Sequence, residues 1–154
     1  RPLDAGPYRP TKRDVVRSRH VSDYFSSRWM TAYRDAWNAE PELAEMLSGV
    51  GFDAVIGYGV LNEPHPRGVL HVENGRVVEA GPYRGEDLAW DLRAAEATWD
   101  SWLESPPGLM QIGAAYTNGK FQILAGDYIS MIKDSRMARP FVKSFETMAR
   151  ITSN

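Results

Sequence analysis

The sequence contains no cysteine among its 154 residues, which excludes disulfides, thiolate nucleophiles and cysteine metal sites. It also lacks long hydrophobic runs, since no apolar stretch approaches the roughly 20 residues that a membrane-spanning helix needs. A formal net charge of −2 gives no overall basic field of the kind that attracts nucleic acid. We therefore expect a cytoplasmic protein with no transmembrane segment and no nucleic acid partner.

Catalytic signatures are also scarce. The sequence has no Gly-x-Ser-x-Gly elbow, no GxxxxGK phosphate loop and no HExxH motif. A metal ion between His65 and His71 would need further ligands such as Glu63 or Glu73, so we expect no metal site. We expect no cofactor and no enzymatic activity.

Two carboxylates leave an enzymatic alternative open. Asp87 and Asp91 share one predicted strand face with Arg93, and their alternation with apolar residues is typical of a face that is turned to solvent. An active site on an apolar substrate would instead use Asp91, Tyr116 or His71 as acid–base groups. No sequence motif supports that alternative.

The first 20 residues differ in composition from the rest. They hold three prolines and six basic side chains against only two acidic ones. We interpret residues 1–20 as an extended basic N-terminal arm, and residues 21–154 as one domain, because the chain is long enough for a single core. The arm could hold a partner protein or make a homodimer.

Apolar spacing predicts helices at both ends of the domain. Ser22 is a suitable N-cap for a helix over residues 22–40, and a second short helix is expected over residues 41–47. After the middle of the chain, the run LMQIGAAYT is apolar on nearly all sides, which predicts a buried helix. Asp127 can cap the next helix, and Pro140 can begin the last one.

Strand patterns fill the middle of the chain. From Phe52 the apolar residues alternate up to Val60, and the Asn74-Gly75 pair predicts a two-residue turn between strands near 68–73 and 76–80. Gly57 and Gly59 share one strand face, which either admits a close neighbour or is bare. With two later strands, the pattern predicts an α+β single domain: an about five-stranded, mainly antiparallel sheet with helices packed on one face.

Residues 87–127 are the most informative stretch. They read DLAWDLRAAEATWDSWLESPPGLMQIGAAYTNGKFQILAGD, and the earlier phrase WNAEPELAEM joins the first two predicted helices. The order of strand, Thr-Trp helix, helix and GK-aromatic-x-I-x-GD strand resembles the sterol carrier protein type-two family of nonspecific lipid-transfer proteins. The resemblance covers most of residues 22–150. It departs from the family pattern at LESPPGLMQIG, so the cavity entrance is expected to differ.

The resemblance implies a cavity for fatty-acyl, sterol or other apolar molecules, and hence a lipid-binding, carrier or sequestering function without covalent chemistry. A pocket lined by adaptable methionines would suit such a ligand, with Tyr116 or Trp102 as its polar anchor. The alternative is a non-enzymatic accessory protein with a filled pocket that assembles through its arm. The predicted ligand-binding residues are Trp99, Trp102, Leu103, Met110, Ala115, Tyr116, Phe121, Ile123, Met131, Phe141, Phe145 and Met148.

Overall fold

The computed structural model describes residues 24–152, which form one α+β domain. The predicted basic arm and Ser22 lie outside the described residues. Six helices and five strands follow one another along this part of the chain. In order they are α1 (Ser27–Asn38), α2 (Ala44–Gly49), β1 (Ala54–Val60), β2 (Gly68–Glu73), β3 (Arg76–Pro82), β4 (Trp90–Ala94), α3 (Glu96–Glu104), α4 (Leu109–Asn118), β5 (Phe121–Ala125), α5 (Tyr128–Ile132) and α6 (Ser135–Thr152).

The five strands form one mixed sheet with the order β3-β2-β1-β4-β5. Strands β1 and β4 run parallel, and the other neighbouring pairs are antiparallel. The β2–β3 hairpin follows the predicted register, with Glu73 opposite Arg76 and a turn at Asn74 and Gly75, whose φ angles are 48° and 83°. The predicted sheet is thus confirmed.

One face of the sheet is covered by helices. Ile56 and Tyr58 of β1, Leu70 of β2 and Leu92 of β4 point into this layer and are buried. Most of the core is aromatic, because rings from α1, α3 and α6 meet edge to face over the sheet, as Trp102 and Phe145 do at 5.3 Å. The long helix α6 crosses this layer and packs against α1, α2 and α3.

Helix α1 begins later than the predicted residue 22. Ser26 is the N-cap, and its hydroxyl accepts a hydrogen bond from the Trp29 N–H at 3.2 Å. The reason is Phe25, which has a φ of 62° that a right-handed helix does not allow. Its ring is buried and stacks on Tyr58, with centroids 5.7 Å apart.

The other face of the sheet is covered by a loop. A Cβ at Gly57 would lie 2.9 Å from Leu88, and one at Gly59 would lie 2.9 Å from the backbone of Pro66. The two glycines therefore admit the loop of residues 61–67 and the Leu88 side chain onto β1. The sequence left two interpretations of these glycines: a close neighbour or a bare surface. The structure shows a close neighbour, which belongs to the same chain.

The expectation that Asp91 and Arg93 face solvent is wrong. Asp91 is 8% exposed and Arg93 only 3%. The Arg93 guanidinium donates to both Asp91 carboxylate oxygens, at 2.7 and 3.1 Å, and its third nitrogen donates to the Glu63 carbonyl oxygen at 2.8 Å. The loop that approaches the glycines buries this ion pair, whereas Asp87 is exposed as expected.

Two helix predictions also need correction. The run in α4 is not buried throughout: Ile112 and Ala115 face the interior, but Met110 is 90% exposed. Helix α4 packs on β5 and meets α5 through the Tyr116 and Tyr128 rings, and its other side is left in solvent. Pro140 does not begin the last helix. Helix α6 begins after Asp134, whose backbone carbonyl oxygen accepts hydrogen bonds from the N–H groups of Met137 and Ala138. Pro140 lies in the second turn of this helix.

Candidate functional site

A narrow apolar groove lies between the helix-covered face of the sheet and the helices α5 and α6. Its unoccupied space is about 50 Å³. The lining residues come from both halves of the chain, and nearly all of them are apolar. They are Trp37, Leu47, Phe52, Ile56, Tyr58, Trp90, Leu92, Met131, Met137, Pro140, Phe141 and Ser144.

The floor of the groove is built from buried side chains. Ile56 and Tyr58 project from β1, and Leu92 projects from the parallel strand β4, where it pairs with Tyr58. Trp37 of α1 also lines the groove, and its indole N–H donates to the Gly75 carbonyl oxygen at 2.9 Å. This hydrogen bond ties the β2–β3 turn to α1 and holds the Trp37 ring in place.

The mouth is formed by half-buried side chains. Phe52 and Trp90 border it on the sheet side, and Met137 and Phe141 border it on the α6 side. The Trp90 ring is held by the β5–α5 turn, where Gly126 has a φ of 110° and a Cβ would collide with the ring. The groove therefore opens along the start of α6.

Two of the lining residues, Tyr58 and Ser144, carry hydroxyl groups. The Tyr58 hydroxyl is hydrogen bonded to the hydroxyl of Tyr33, 3.1 Å away, within the core. The Ser144 hydroxyl donates to the Phe141 carbonyl oxygen at 2.6 Å, and it lies beside Tyr33. Among the described residues, no Lys, Arg, His, Asp or Glu lines the groove.

Burial keeps these phenols neutral. Desolvation raises the pKa of Tyr58 well above its ordinary value, although its hydrogen bond to Tyr33 opposes the rise. Burial and the neighbouring Tyr58 raise the pKa of Tyr33 in the same direction, while Ser144 opposes that rise. The polar part of the groove thus consists of uncharged hydroxyls.

The residues predicted to bind a ligand fall into two main groups. Met131 and Phe141 line the groove. Most of the others pack in the core: Trp99, Trp102, Leu103, Phe121, Phe145, Met148 and Ala115 are buried, and Ile123 is partly buried. The two exposed predictions are Met110 and Tyr116, which stand on α4 outside the groove.

The sequence-based prediction missed most of the groove, because all the predicted ligand-binding residues lie in the second half of the chain. Phe52, Ile56 and Tyr58 were visible as one face of a predicted strand, but nothing in the sequence shows which core residues border empty space. The predicted polar anchors were Trp102 and Tyr116. The structure places Tyr58 and Ser144 at the groove instead.

A second depression lies between α3 and α6. It measures about 360 Å³ and is wide open to solvent. Lys143, Glu104, Glu146 and Arg150 stand on its walls, so it is a charged surface feature. Although it is larger than the groove, it lacks the enclosing apolar walls that a small apolar ligand needs.

The candidate acid–base groups do not converge. Asp91 is held by Arg93, and His71 lies 3.0 Å from a Glu86 carboxylate oxygen on the loop-covered face of the sheet. Tyr116 stacks near Tyr128, with ring centroids 4.4 Å apart. Within residues 24–152, no group of three His, Asp or Glu side chains is arranged to hold a metal ion.

No protein-family model and no curated protein sequence matches this chain. Solved structures do resemble it. A crystal structure of sterol carrier protein 2 superposes with a TM-score of 0.65 at 19% identity, over 82% of this chain and 98% of that one. A conserved hypothetical protein from Thermus thermophilus, described as a possible sterol carrier protein, gives 0.56 at 18% identity, over 84% and 87% of the two chains.

A third solved structure is that of the ubiquinone synthesis protein UbiJ-SCP2, with a TM-score of 0.51 at 14% identity over 92% of this chain and 96% of that one. Together the three show that the chain has the fold of sterol carrier protein 2, as the sequence resemblance implied. Across residues 24–152, no helix is long and apolar enough to span a membrane.

Proposed function

We propose that this protein binds a small apolar molecule in the groove between the sheet and α6, as a carrier or sequestering protein. The single observation that supports this most strongly is the lining itself: twelve side chains line the groove, and all except Ser144 are apolar or aromatic. Apolar concavities with a few polar groups are the usual sites for small hydrophobic ligands. The solved structures of the same fold include that of sterol carrier protein 2.

The groove must widen before a ligand enters. Its space of about 50 Å³ is far below the roughly 300 to 1,000 Å³ of common ligand pockets. The residues that border it suit such a change, because Met131 and Met137 are unbranched and adapt to irregular shapes. Phe141 is only partly buried, so its ring can move outward at small cost in buried area.

The proposal is binding without catalysis. Asp91, a buried and ion-paired carboxylate of the sheet, accepts two hydrogen bonds from Arg93 and lies on the face away from the groove. Of the residues that the structure describes, those lining the groove include no Lys, Arg, His, Asp or Glu, and their hydroxyl groups belong to Tyr58 and Ser144.

Groove filling tests the proposal directly. Ser144→Leu should occupy the empty space and abolish binding of Nile red, a neutral dye whose fluorescence shifts to the blue in apolar surroundings. The matched control is Ala149→Leu, on the same helix, which fills the charged depression instead. We expect affinity to fall by about tenfold or more for Ser144→Leu and to stay within about twofold for Ala149→Leu.

Urea denaturation of both variants shows whether they remain folded, since overfilling a core costs about 1 to 3 kcal/mol. Equal dye binding by wild-type protein and Ser144→Leu would place the site elsewhere. Loss of binding only in Ala149→Leu would transfer it to the charged depression. An absence of saturable dye binding in the wild type would contradict the proposal.

A further inference from the structure

Helix α3 carries an acidic stripe, which is formed by Glu96, Asp100 and Glu104. These residues are four positions apart, so they share one face of the helix. Glu96 and Glu104 are exposed, and Asp100 is half-buried. Because α3 contains no Lys or Arg, the helix itself supplies no charge to balance the stripe.

The stripe also receives little positive charge from the rest of the described domain. Neither Asp100 nor Glu104 forms an ion pair with any residue between 24 and 152. Arg67 lies 4.0 Å from Glu96 but only 2.7 Å from Glu63. Glu104 stands in the last turn of α3, where the helix dipole favours a positive charge and no basic residue is present. The α3 surface is therefore suited to a cationic segment.

The described chain begins beside this stripe. Tyr24 is buried, and its hydroxyl donates a hydrogen bond of 2.6 Å to an Asp100 carboxylate oxygen. Burial and this hydrogen bond raise the pKa of the Tyr24 phenol, and the negative charges of Asp100, Glu96 and Glu104 raise it further. All three carboxylates thus act at the point where the N-terminal arm leads into the domain.

The N-terminal arm has the complementary charge. Residues 1–20 hold six basic and two acidic side chains, a formal charge of +4, whereas residues 21–154 carry −6. Arg17 and Arg19 are seven and five positions before Tyr24. An extended stretch of about seven residues reaches roughly 23 Å, while the stripe from Glu96 to Glu104 is only about 12 Å long. The arm is therefore long enough to place its basic side chains along the stripe.

We propose that the basic N-terminal arm, residues 1–20, docks on the acidic stripe of α3 in the same chain. Single exposed ion pairs are weak, but several act together here, and the tether at Tyr24 keeps the local concentration of the arm high. Salt weakens charge attraction of this kind. The stripe residues do not line the apolar groove, so docking of the arm and ligand binding are separate properties that can fail independently.

A spin label in the arm tests the proposal. Because the chain contains no cysteine, a nitroxide can be attached at one engineered position, Thr11→Cys, and NMR spectra with the label oxidised and reduced show which amide signals it broadens. The exposed α3 residues Ala97 and Ser101 should lose signal intensity when the label is oxidised. The loss should largely disappear in the double variant Glu96→Lys/Glu104→Lys and at about 1 M salt, where the Debye length is about 3 Å.

Glu73→Lys is the matched control. It reverses an exposed carboxylate on β2 that, like Glu104, forms no ion pair within the described part of the chain. It should leave the α3 signal loss unchanged. Charge exchange is the positive control: adding Arg13→Glu and Arg17→Glu to the double α3 variant should bring the signal loss back.

The proposal is overturned if Ala97 and Ser101 keep full intensity beside the oxidised label when the rest of the chain is unaltered. It is also overturned if the double α3 variant, shown to be folded by urea denaturation, has the same loss. The first of these results needs no change on α3, so the proposal can fail even if the double variant does not fold.

A mixed sample distinguishes the chain's own arm from that of a second copy. It combines spin-labelled chains without isotope enrichment and isotope-enriched chains without a label. The proposal predicts full α3 intensity in this mixture. Signal loss on α3 there would show that the arm binds another copy, which contradicts docking within one chain.

Discussion

At the scale of single residues, Gly126 allows the β5–α5 turn to pack against Trp90, which lines the groove. Its φ of 110° is unfavourable for any residue with a side chain, and a Cβ there would collide with the Trp90 ring. Gly119 has a similar φ of 84° but no heavy atom within 4 Å of an added Cβ. Comparing alanine substitutions at the two glycines therefore distinguishes the cost of backbone strain from the cost of a steric collision.

Gly119→Ala should lower the free energy of unfolding by about 1 to 2 kcal/mol, the cost of a left-handed backbone conformation. Gly126→Ala should cost more, since it adds the displacement of Trp90, and it should also weaken Nile red binding. Urea denaturation and dye titration measure the two effects. Equal stability losses with unchanged dye binding in both variants would show that Trp90 is not held by this turn.

Arg93 and Asp91 are the clearest case of residues whose role the sequence concealed. Their types and their alternation were visible, but the sequence does not show that the loop of residues 61–67 folds over them. Arg93→Ala would leave the Asp91 carboxylate buried without its partner and the Glu63 carbonyl oxygen without its donor. A burial of this kind is strongly unfavourable.

Arg93→Ala should therefore destabilise the fold by about 3 to 5 kcal/mol. The control is Arg136→Ala, which breaks an exposed ion pair with Asp134 and should change stability by no more than about 0.5 kcal/mol. Both are measured by urea denaturation at neutral pH. Similar small losses in the two variants would mean that the buried pair contributes no more than a surface contact.

At the scale of secondary structure elements, the sequence predicted turns well, because they depend on local residue types, but it predicted the burial of helices poorly. The β2–β3 hairpin was predictable because Asn74 and Gly75 tolerate the positive φ angles of a tight turn. Helix α4 was predicted correctly as a helix, but its burial was not, because a continuous apolar run indicates burial only if neighbours exist on all sides. In the structure one side of α4 packs on β5 and meets α5 through the Tyr116 and Tyr128 rings, and Met110 on the other side is exposed to solvent.

Met110→Ser and Ile112→Ala form a matched pair on α4. The first removes an apolar side chain that is 90% exposed and should change stability by no more than about 0.5 kcal/mol. The second truncates a side chain that is fully buried and should cost about 2 to 5 kcal/mol. A large loss for Met110→Ser, measured by urea denaturation, would mean that α4 is covered in solution.

At the scale of the whole molecule, the sequence predicted the α+β class, the single sheet and its helical layer, because these follow from patterns of short range. The groove depends on contacts between distant parts of the chain: Trp37 and Leu47 lie more than 80 residues before Met131 in the sequence. Such proximity leaves no local pattern. Met131 and Phe141 were predicted from their apolar character, whereas Tyr58 and Ser144 were not.

The buried phenols predict how the protein responds to pH. Tyr33 and Tyr58 have folded-state pKa values above those of exposed tyrosines, so the folded state holds their protons more tightly. Their stabilising contribution is complete below the unfolded pKa of about 10 and is lost as pH rises through the folded values. The free energy of unfolding should therefore fall above about pH 10, and less steeply in Tyr58→Phe.

Because both phenols stay neutral at lower pH, binding of the uncharged dye should not change between about pH 6 and pH 9. Dye titrations across this pH range measure the affinity. Urea denaturation at alkaline pH measures the predicted fall in the free energy of unfolding. A titration of dye affinity near neutral pH would require an ionisable group in the groove. That result would contradict the uncharged lining of the groove.

The six methionines provide the most direct test of where a ligand binds. Met131 and Met137 line the groove, while Met110 is exposed on α4 and Met30 is buried in the core. NMR spectra of protein with isotope-labelled methionine methyl groups should show the Met131 and Met137 signals shifting as a long-chain alcohol is added, with Met110 and Met30 unchanged. Shifts confined to Met110, or no shifts at saturating alcohol, would contradict binding in the groove.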